Sequence, residues 1–269
     1  MRLVSFCSLA AVLAGCQFTR PDAADAGPIL LVPDVGQGHG VALVQGDRAV
    51  VVDAGPPGQK ALGEALKAQG VREIQLVVLT HPDQDHFGGL DSLSIPVRGV
   101  LRGAMSEADS ARAIPRCTDY EQGCVRALPS QEFHVLDDVV LRVLGPSDTS
   151  LAEEANANSL VVELSRGGRS LFLASGDLDT LGELLILSRV RTTEVVQMGH
   201  HGSKGSSHLR WLGAMMPAFA LVQAGVDNDY GHPSAQALAR ASAVGAEVVR
   251  PLGQCLKIKF DPSARLLPQ

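Results

Sequence analysis

The segment THPDQDHFGG at 80–89 restricts the possible folds of this chain more than any other. It places four potential metal ligands within six residues: His81, Asp83, Asp85 and His86. The apolar run 76–79 precedes it directly and predicts a buried strand, which would hold the following loop accurately. Imidazoles beside carboxylates suit zinc, manganese or iron, so the segment predicts a metal site. An ordinary solvated loop is the alternative.

Short apolar runs alternate with turn residues along the rest of the chain and predict strands with helices between them. Strands are expected at 29–32, 41–44, 49–52, 76–79, 139–144, 160–164, 171–174, 195–198, 218–222, 247–249 and 256–260. Helices are expected at 60–69, 180–189, 207–216 and 234–243. Residues 103–130 lack periodicity and are interpreted as an irregular insertion or surface segment. This order favours two stacked sheets with helices outside.

The first residues, MRLVSFCSLAAVLAGC, contain one basic residue and an apolar stretch that is short for a membrane span. The ending LAGC resembles the bacterial lipobox, in which the cysteine is lipidated. We therefore predict a lipoprotein signal peptide at 1–16 with lipidation at Cys16, a linker at 17–27 and one folded domain at 28–269. The expected location is the cell envelope, with the lipid as the membrane attachment. A buried first strand or helix is the alternative.

The charge balance argues against general affinity for polyanions. The chain has 23 basic and 29 acidic residues, a net charge of −6, and no run of Lys or Arg. Two divalent cations in a cleft can still reverse the sign locally.

Cys117 and Cys124 flank the short polar segment TDYEQG. Outside a reducing cytosol this spacing favours a disulfide. A zinc knuckle is the alternative, although no second cysteine pair accompanies it.

Seven short motifs occur in the order found in the metallo-β-lactamase superfamily. They are DVGQG at 34–38, VVDAG at 51–55, THPDQDHFGG at 80–89, NSL at 158–160, SGD at 175–177, MGHHGS at 198–203 and YGHP at 230–233. The chain resembles in particular the hydrolase domain of ComEC-type competence proteins, here with a lipobox instead of a channel. The resemblance implies an αββα fold, two mixed β-sheets with outer helices, and a site for two divalent ions, Zn or Mn, at one edge.

Transferred to this sequence, the resemblance assigns His81 and Asp83 to one metal and Asp85 and His86 to the other. Further ligands are expected at Asp177, which would bridge the metals, at His200 or His201, with a preference for His200, and at Asn158. Asp177 has a helix-capping alternative, and Asn158 has a turn alternative.

Catalytic roles are expected for Asp85 or Asp177, which would orient the attacking hydroxide, and for His232 or the second histidine of HHGS, which would protonate the leaving group. His232 also fits a simple turn before Pro233. Ser203 and Lys204 are expected to bind a substrate phosphate, with a solvated turn as the alternative.

Two positions depart from the superfamily pattern beyond the exchange at Asp83, which the ComEC-like branch shares. Asn158 stands where a histidine is usual, and His39 follows DVGQG where an acidic residue is usual. Both exchanges count against full catalytic activity.

The first functional hypothesis is a phosphodiesterase or nuclease, acting on DNA or a small phosphodiester through a hydroxide activated by two metals. The second is an ester, lactone or phosphorylcholine-type hydrolase at the envelope. The third is a lipid-anchored binding protein that has lost activity through Asn158 and His39. No stable protein partner is evident from the sequence.

Overall fold

A computed structural model describes residues 27–114, 117–146 and 155–267. The predicted signal peptide, Cys16 and the linker up to residue 26 lie outside the described residues and stay predictions. Within the described ranges, no helix is both long enough and apolar enough to cross a bilayer.

The first sheet contains seven strands among the described residues, in the order β14-β1-β2-β3-β4-β5-β6. The strands are β1 Ile29–Pro33, β2 Val41–Gln45, β3 Arg48–Val52, β4 Glu73–Leu79, β5 Val100–Arg102, β6 Cys124–Arg126 and β14 Cys255–Lys259. The pairs from β14 to β3 are antiparallel, and those from β3 to β6 are parallel.

The second sheet is also seven-stranded over the described ranges, in the order β13-β12-β11-β10-β9-β8-β7. Its strands are β7 Glu132–His134, β8 Val139–Gly145, β9 Val161–Arg166, β10 Arg169–Ala174, β11 Thr193–Gln197, β12 Phe219–Leu221 and β13 Glu247–Val249. Strands β10 to β13 pair in parallel, whereas β7 to β10 pair antiparallel.

The helices are α1 Ala61–Ala68, α2 Gln84–Phe87, α3 Glu107–Ala113, α4 Thr180–Leu185, the short turn α5 Gly199–Gly202, α6 Leu209–Met215 and α7 Ala235–Ala243.

Alternation along the strands divides the buried side chains into three layers. In β3, Val50 and Val52 pack between the two sheets, whereas Ala49 and Val51 pack beneath α1 with Leu66. A third cluster packs the outer face of the second sheet against helices that include α6 and α7. Opposite faces of a strand serve different layers because successive side chains point in opposite directions. The predicted αββα sandwich is confirmed.

The interpretation of 103–130 as irregular is wrong in part, because this segment contains α3 and β6. Helix α3 buries only Ala113 and therefore shows little apolar periodicity, and its start is fixed by Ser106, whose side chain accepts from the Asp109 amide. Strand β6 is a short, largely exposed strand at the edge of its sheet. A disulfide joins Cys117 to Cys124, as predicted, which excludes the zinc-knuckle alternative.

The predicted helix 180–189 is also too long. Helix α4 ends at Leu185, and a 3₁₀ turn follows at Leu187–Arg189.

The strand directions bring the chemically interesting loops to one edge. The parallel pair β3 and β4 leads into Asp53 and Thr80, and the parallel pair β10 and β11 leads into Ser175 and Met198. The two sheets are joined at this edge, since the Leu160 amide donates to the Thr80 carbonyl at 2.8 Å. The edge is therefore where the predicted site must assemble.

Candidate metal centre

Asp177 lies at the centre of a cluster of imidazoles. Its Oδ1 is 3.2 Å from His86 Nε2, and its Oδ2 is 3.4 Å from His200 Nε2. The same Oδ2 is 3.7 Å from His201 Nε2 and 3.8 Å from His81 Nε2. Asp177 is buried, with 4% of its surface exposed. The structure thus brings together side chains that the sequence separates by up to 120 positions.

The two acidic residues of the HPDQDH segment approach different imidazoles of this centre. Asp83 Oδ2 is 3.6 Å from His81 Nε2, and Asp85 Oδ2 is 3.2 Å from His201 Nε2. The Asp83 backbone is extended, and α2 starts directly after it. This change of direction turns Asp85 and His86 toward the second sheet.

Hydrogen bonds on the far side of each imidazole determine which nitrogen carries the proton. The His201 Nδ1 lies 3.0 Å from the Gln223 carbonyl, which only accepts, so Nδ1 is the protonated nitrogen. The His86 Nδ1 lies 2.7 Å from the Asp53 carboxylate, and it donates in the same way. The two Nε2 atoms therefore carry lone pairs, and they face each other at 3.3 Å.

The same reasoning applies to His81. Thr80 Oγ1 donates its only proton to Asp53 Oδ2 at 2.8 Å, so it accepts from His81 Nδ1 at 3.0 Å. The His81 Nε2 lone pair then points toward Asp83 and Asp177. This nitrogen and Asp177 Oδ1 are both buried without a hydrogen-bond partner among the described residues.

Three nitrogen lone pairs thus converge on three carboxylates, an arrangement of acceptors with no donor between them. Such a cluster is costly to bury unless a cation neutralises it. Combinations suited to a metal ion are His81, His86 and Asp177, and Asp85, His86 and His201. Mixed nitrogen and oxygen donors of this kind fit Zn²⁺ or Mn²⁺, so the residues present suit the implied metals.

The imidazoles around the cluster favour the ionised form of its carboxylates. Burial opposes ionisation of Asp177, but the neighbouring His86 and His201 prevail and hold its pKa well below the usual range. Burial likewise opposes ionisation of Asp85, whose pKa is nevertheless lowered by the neighbouring imidazoles of His201 and His86. The adjacent His81 imidazole lowers the pKa of Asp83. All three carboxylates are therefore ready to accept a cation at neutral pH.

Asp53, the aspartate of the VVDAG motif, has no role predicted from the sequence, yet it supports the centre from behind. It is fully buried after β3 and has an uncommon positive φ of 55°. Its Oδ1 accepts from the Thr80 amide at 2.8 Å, and its Oδ2 accepts from Thr80 Oγ1, His86 Nδ1 and His39 Nδ1. Such a carboxylate behind a metal-binding imidazole fixes the tautomer and ring orientation. His39 therefore belongs to this supporting layer.

His200 and His201 differ in their environment. His201 is 4% exposed and lies against Asp85, His86 and Asp177, whereas the His200 side chain is 35% exposed and approaches Asp177 from the solvent side. The geometry therefore favours His201 as the more enclosed donor, in contrast to the preference for His200 from the sequence.

The remaining predicted residues lie around the cluster. Asn158 is buried next to Ser159, whose Oγ accepts from the Asp177 amide at 3.1 Å. The His232 ring is 5.4 Å from the His200 ring, and burial together with the nearby imidazoles lowers the pKa of His232. Ser203 Oγ accepts from the Gly205 amide at 3.2 Å, and Lys204 is exposed at the tip of the same loop.

The family model of the metallo-beta-lactamase superfamily matches residues 33–212 of the chain. The chain belongs to the metallo-β-lactamase superfamily. This match includes the HPDQDH segment, Asp177 and both histidines of MGHHGS. The prediction of a metal-dependent hydrolase is confirmed at the level of the superfamily, while the substrate and the metal stay predictions.

Two curated relatives match the chain over two thirds or more of its length. The chain is 31% identical over 246 residues to the "Competence protein ComA" of Neisseria gonorrhoeae, covering 89% of the chain and 33% of that protein. It is 29% identical over 187 residues to the "ComE operon protein 3" of Bacillus subtilis strain 168, covering 67% of the chain and 24% of that protein. The chain thus spans a quarter to a third of these relatives, and the resemblance to competence proteins is confirmed.

Among solved structures, the fold is similar to that of a diphosphatase of the PhnP family. The TM-score is 0.51 at 12% identity, with 87% of this chain and 98% of that protein covered. At this identity the likeness concerns the fold.

Proposed function

We propose that the cluster binds two divalent cations and that the protein is a phosphodiesterase or nuclease of the cell envelope. The observation that carries this proposal is the convergence of three imidazole lone pairs on three buried or half-buried carboxylates. One ion would be held by His81, Asp83 and Asp177. The other would be held by a set that shares Asp177 and adds Asp85, His86 and His201.

When bound, such ions lower the pKa of water toward neutrality and stabilise negative charge on a phosphate. The chain's own residues would position the reactants. Asp85, whose side chain is 34% exposed, would accept a hydrogen bond from the attacking water. His200 and His232 stand at the solvent side of Asp177, where either imidazole can donate a proton to the leaving oxygen.

A nucleic acid substrate is favoured by the surface next to this centre. Tyr230 is 71% exposed, and its ring stacks on His232 at 5.9 Å with an interplanar angle of 24°. Asn228 fixes the loop, because its side chain bonds the Tyr230 and His232 amides and the His232 carbonyl. An exposed, pre-positioned aromatic ring offers a stacking surface for a nucleobase. The relation to competence proteins supports the same substrate class.

The experiment is a degradation assay with single-stranded oligonucleotides and plasmid DNA in the presence of Mn²⁺ or Zn²⁺. We expect activity in the wild type and loss of at least 100-fold in Asp85→Asn. Asp138→Asn is the matched control, since Asp138 is a half-exposed carboxylate that bonds Gln45 and Arg166. Turnover of ester or lactone substrates alone would favour the second hypothesis. Metal binding without turnover of any of these substrates would favour the binding protein.

The stacking surface has a separate test. Tyr230→Ala should raise KM for a single-stranded oligonucleotide about 5- to 100-fold, equivalent to about 1–3 kcal/mol for one stacked base. An abasic oligonucleotide should show no such difference between the two proteins. Met216→Ala, which alters an equally exposed apolar residue at the end of α6, is the control. An unchanged KM in Tyr230→Ala would remove the argument for a nucleobase.

Attachment to the envelope is proposed through a lipid on Cys16, on the basis of the LAGC sequence at 13–16. Metabolic labelling with palmitate should label the wild type. A labelled Cys16→Ser variant would contradict the proposed attachment.

A further inference from the structure

The loop from Gly199 to His208 holds its residues in an uncommon backbone conformation. His200 has φ 49° and ψ 51°, His201 has φ 54° and ψ 25°, and Ser207 has φ 56°. Residues other than glycine adopt this left-handed region rarely, because Cβ approaches the backbone closely. Several such residues in one loop persist only when the surroundings hold them there.

A buried carboxylate supports the end of this loop. Glu183, on α4, is fully buried, and its Oε1 accepts from the Ser207 amide at 2.6 Å. Its Oε2 accepts from the His208 amide at 2.8 Å. Both oxygens are thus directed at consecutive backbone amides. Glu183 has no role in the proposed reaction.

The same contact reaches the beginning of the loop through one side chain. Ser207 Oγ accepts from the Gly199 amide at 2.9 Å, and Gly199 immediately precedes His200. Glu183 therefore connects the two ends of the loop. Its side chain fixes Ser207, and Ser207 fixes Gly199, the residue before the histidine pair. A shift of Ser207 would be passed on to both imidazoles.

Other groups brace the outer part of the loop. Thr180 donates through its amide and its hydroxyl to the Gly205 carbonyl, each at 2.9 Å. Arg240 donates to the Lys204 and Ser206 carbonyls, both at 2.9 Å. Thr180 and Arg240 contact only residues 204–206, whereas both Glu183 oxygens accept from the Ser207 and His208 amides, so Glu183 is the group that supports Ser207 directly.

We propose that Glu183 is a positioning residue for the metal centre, which acts through Ser207 and Gly199 to set the places of His200 and His201 beside Asp177. The inference rests on the proposed function, because it assumes that this centre binds cations. It differs from a purely structural role for Glu183, such as holding the start of α6, since that role would not change metal binding selectively.

The test is Glu183→Gln in the full-length protein, with Zn²⁺ and Mn²⁺ titrated separately by calorimetry. The amide keeps the shape of the carboxylate but turns an NH₂ group toward one of the two backbone amides. We expect the affinity for the ion held with His201 to fall about 10- to 100-fold. The ion held by His81 and Asp83 should bind within about threefold of its wild-type affinity.

Leu66→Ala is the control for lost stability, since Leu66, on α1, is fully buried against the outer face of the other sheet. It should lower the unfolding temperature and leave both affinities unchanged. If Glu183→Gln does not fold, Ser207→Ala is the variant that tests the positioning role. That variant keeps the Glu183 bonds but removes the acceptor of the Gly199 amide, and it should weaken the same ion at least threefold.

Failure of the positioning role and failure of the proposed function give different results. Wild-type affinities for both ions in Glu183→Gln, or in Ser207→Ala where that variant decides, would overturn the positioning role. An equal loss at both sites, matched by Leu66→Ala, would do the same. Absence of ion binding by the wild type would instead refute the proposed function.

Discussion

Replacing Asp53 by Asn tests whether the metal centre depends on the layer behind it. The Asp53 carboxylate is fully buried and accepts from the Thr80 amide and hydroxyl, His86 and His39 at 2.7–3.0 Å. An Asn side chain can keep the bond to the Thr80 amide through its oxygen. Its NH₂ group then meets three donors at the position of Oδ2. The simplest relief is that His86 moves its proton to Nε2, which removes the lone pair directed at Asp177.

Two magnitudes follow. Loss of such an outer partner lowers metal affinity about 10- to 100-fold, equivalent to about 1.4–2.7 kcal/mol. Removing one partner from a buried charged network costs about 3–5 kcal/mol of unfolding free energy in the metal-free protein. The pKa of Asp53 agrees with a loss of stability in the variant. Burial opposes ionisation, yet His86 and His39 hold the pKa well below the usual range. The ionised form is thus stabilised by the bonds that Asn loses.

The assay combines isothermal titration with Zn²⁺ and urea unfolding in the presence of a chelator. Asp138→Asn provides the same chemical change at a half-exposed carboxylate, and it should alter neither metal affinity nor stability by more than about 1 kcal/mol. If Asp53→Asn bound both ions as tightly as the wild type, the tautomer argument for His86 would be refuted.

Three further predictions concern Asp177, the histidine pair and Glu183. Asp177→Asn should lower the affinity for both ions, because its carboxylate approaches imidazoles of both proposed sets; retention of two tightly bound ions by calorimetry would contradict this. His201→Ala should weaken one ion at least 10-fold, while His200→Ala should leave metal affinity within threefold and lower kcat, as titration and steady-state kinetics would show. Burial raises the pKa of Glu183 to about 7 from 4.5, so the folded state holds an extra proton between these values. Its contribution to stability should therefore fall by up to about 3 kcal/mol as the pH rises from about 4.5 to 7, and urea unfolding of Glu183→Gln should show a flatter pH profile.

Features that depend on strand periodicity were predictable from the sequence. The apolar run at 76–79 is part of β4, and the sandwich follows from alternating strands and helices. Helix α3 and strand β6 were not predictable in this way, because both bury few side chains. The edge strand β6 also contains Cys124 of the disulfide, a constraint that periodicity does not reveal.

The side chains at the centre were predictable as a set. The buried carboxylates that support them were not predictable. Asp53 is a single carboxylate after a strand, and Glu183 resembles an ordinary exposed position on a helix. Their importance comes from long-range contacts, Asp53 with His86 and Glu183 with Ser207. The different places of His200 and His201 depend on left-handed backbone angles that no residue type in HHGS specifies.

Anomalous diffraction from crystals grown with Zn²⁺ or Mn²⁺ tests the central claim most directly. The account predicts two peaks per chain, one about 2.0–2.3 Å from His81 Nε2 and one at a similar distance from His201 Nε2, with an Asp177 oxygen in reach of each. Crystals that contain these ions elsewhere, and none between the histidines and Asp177, would contradict it.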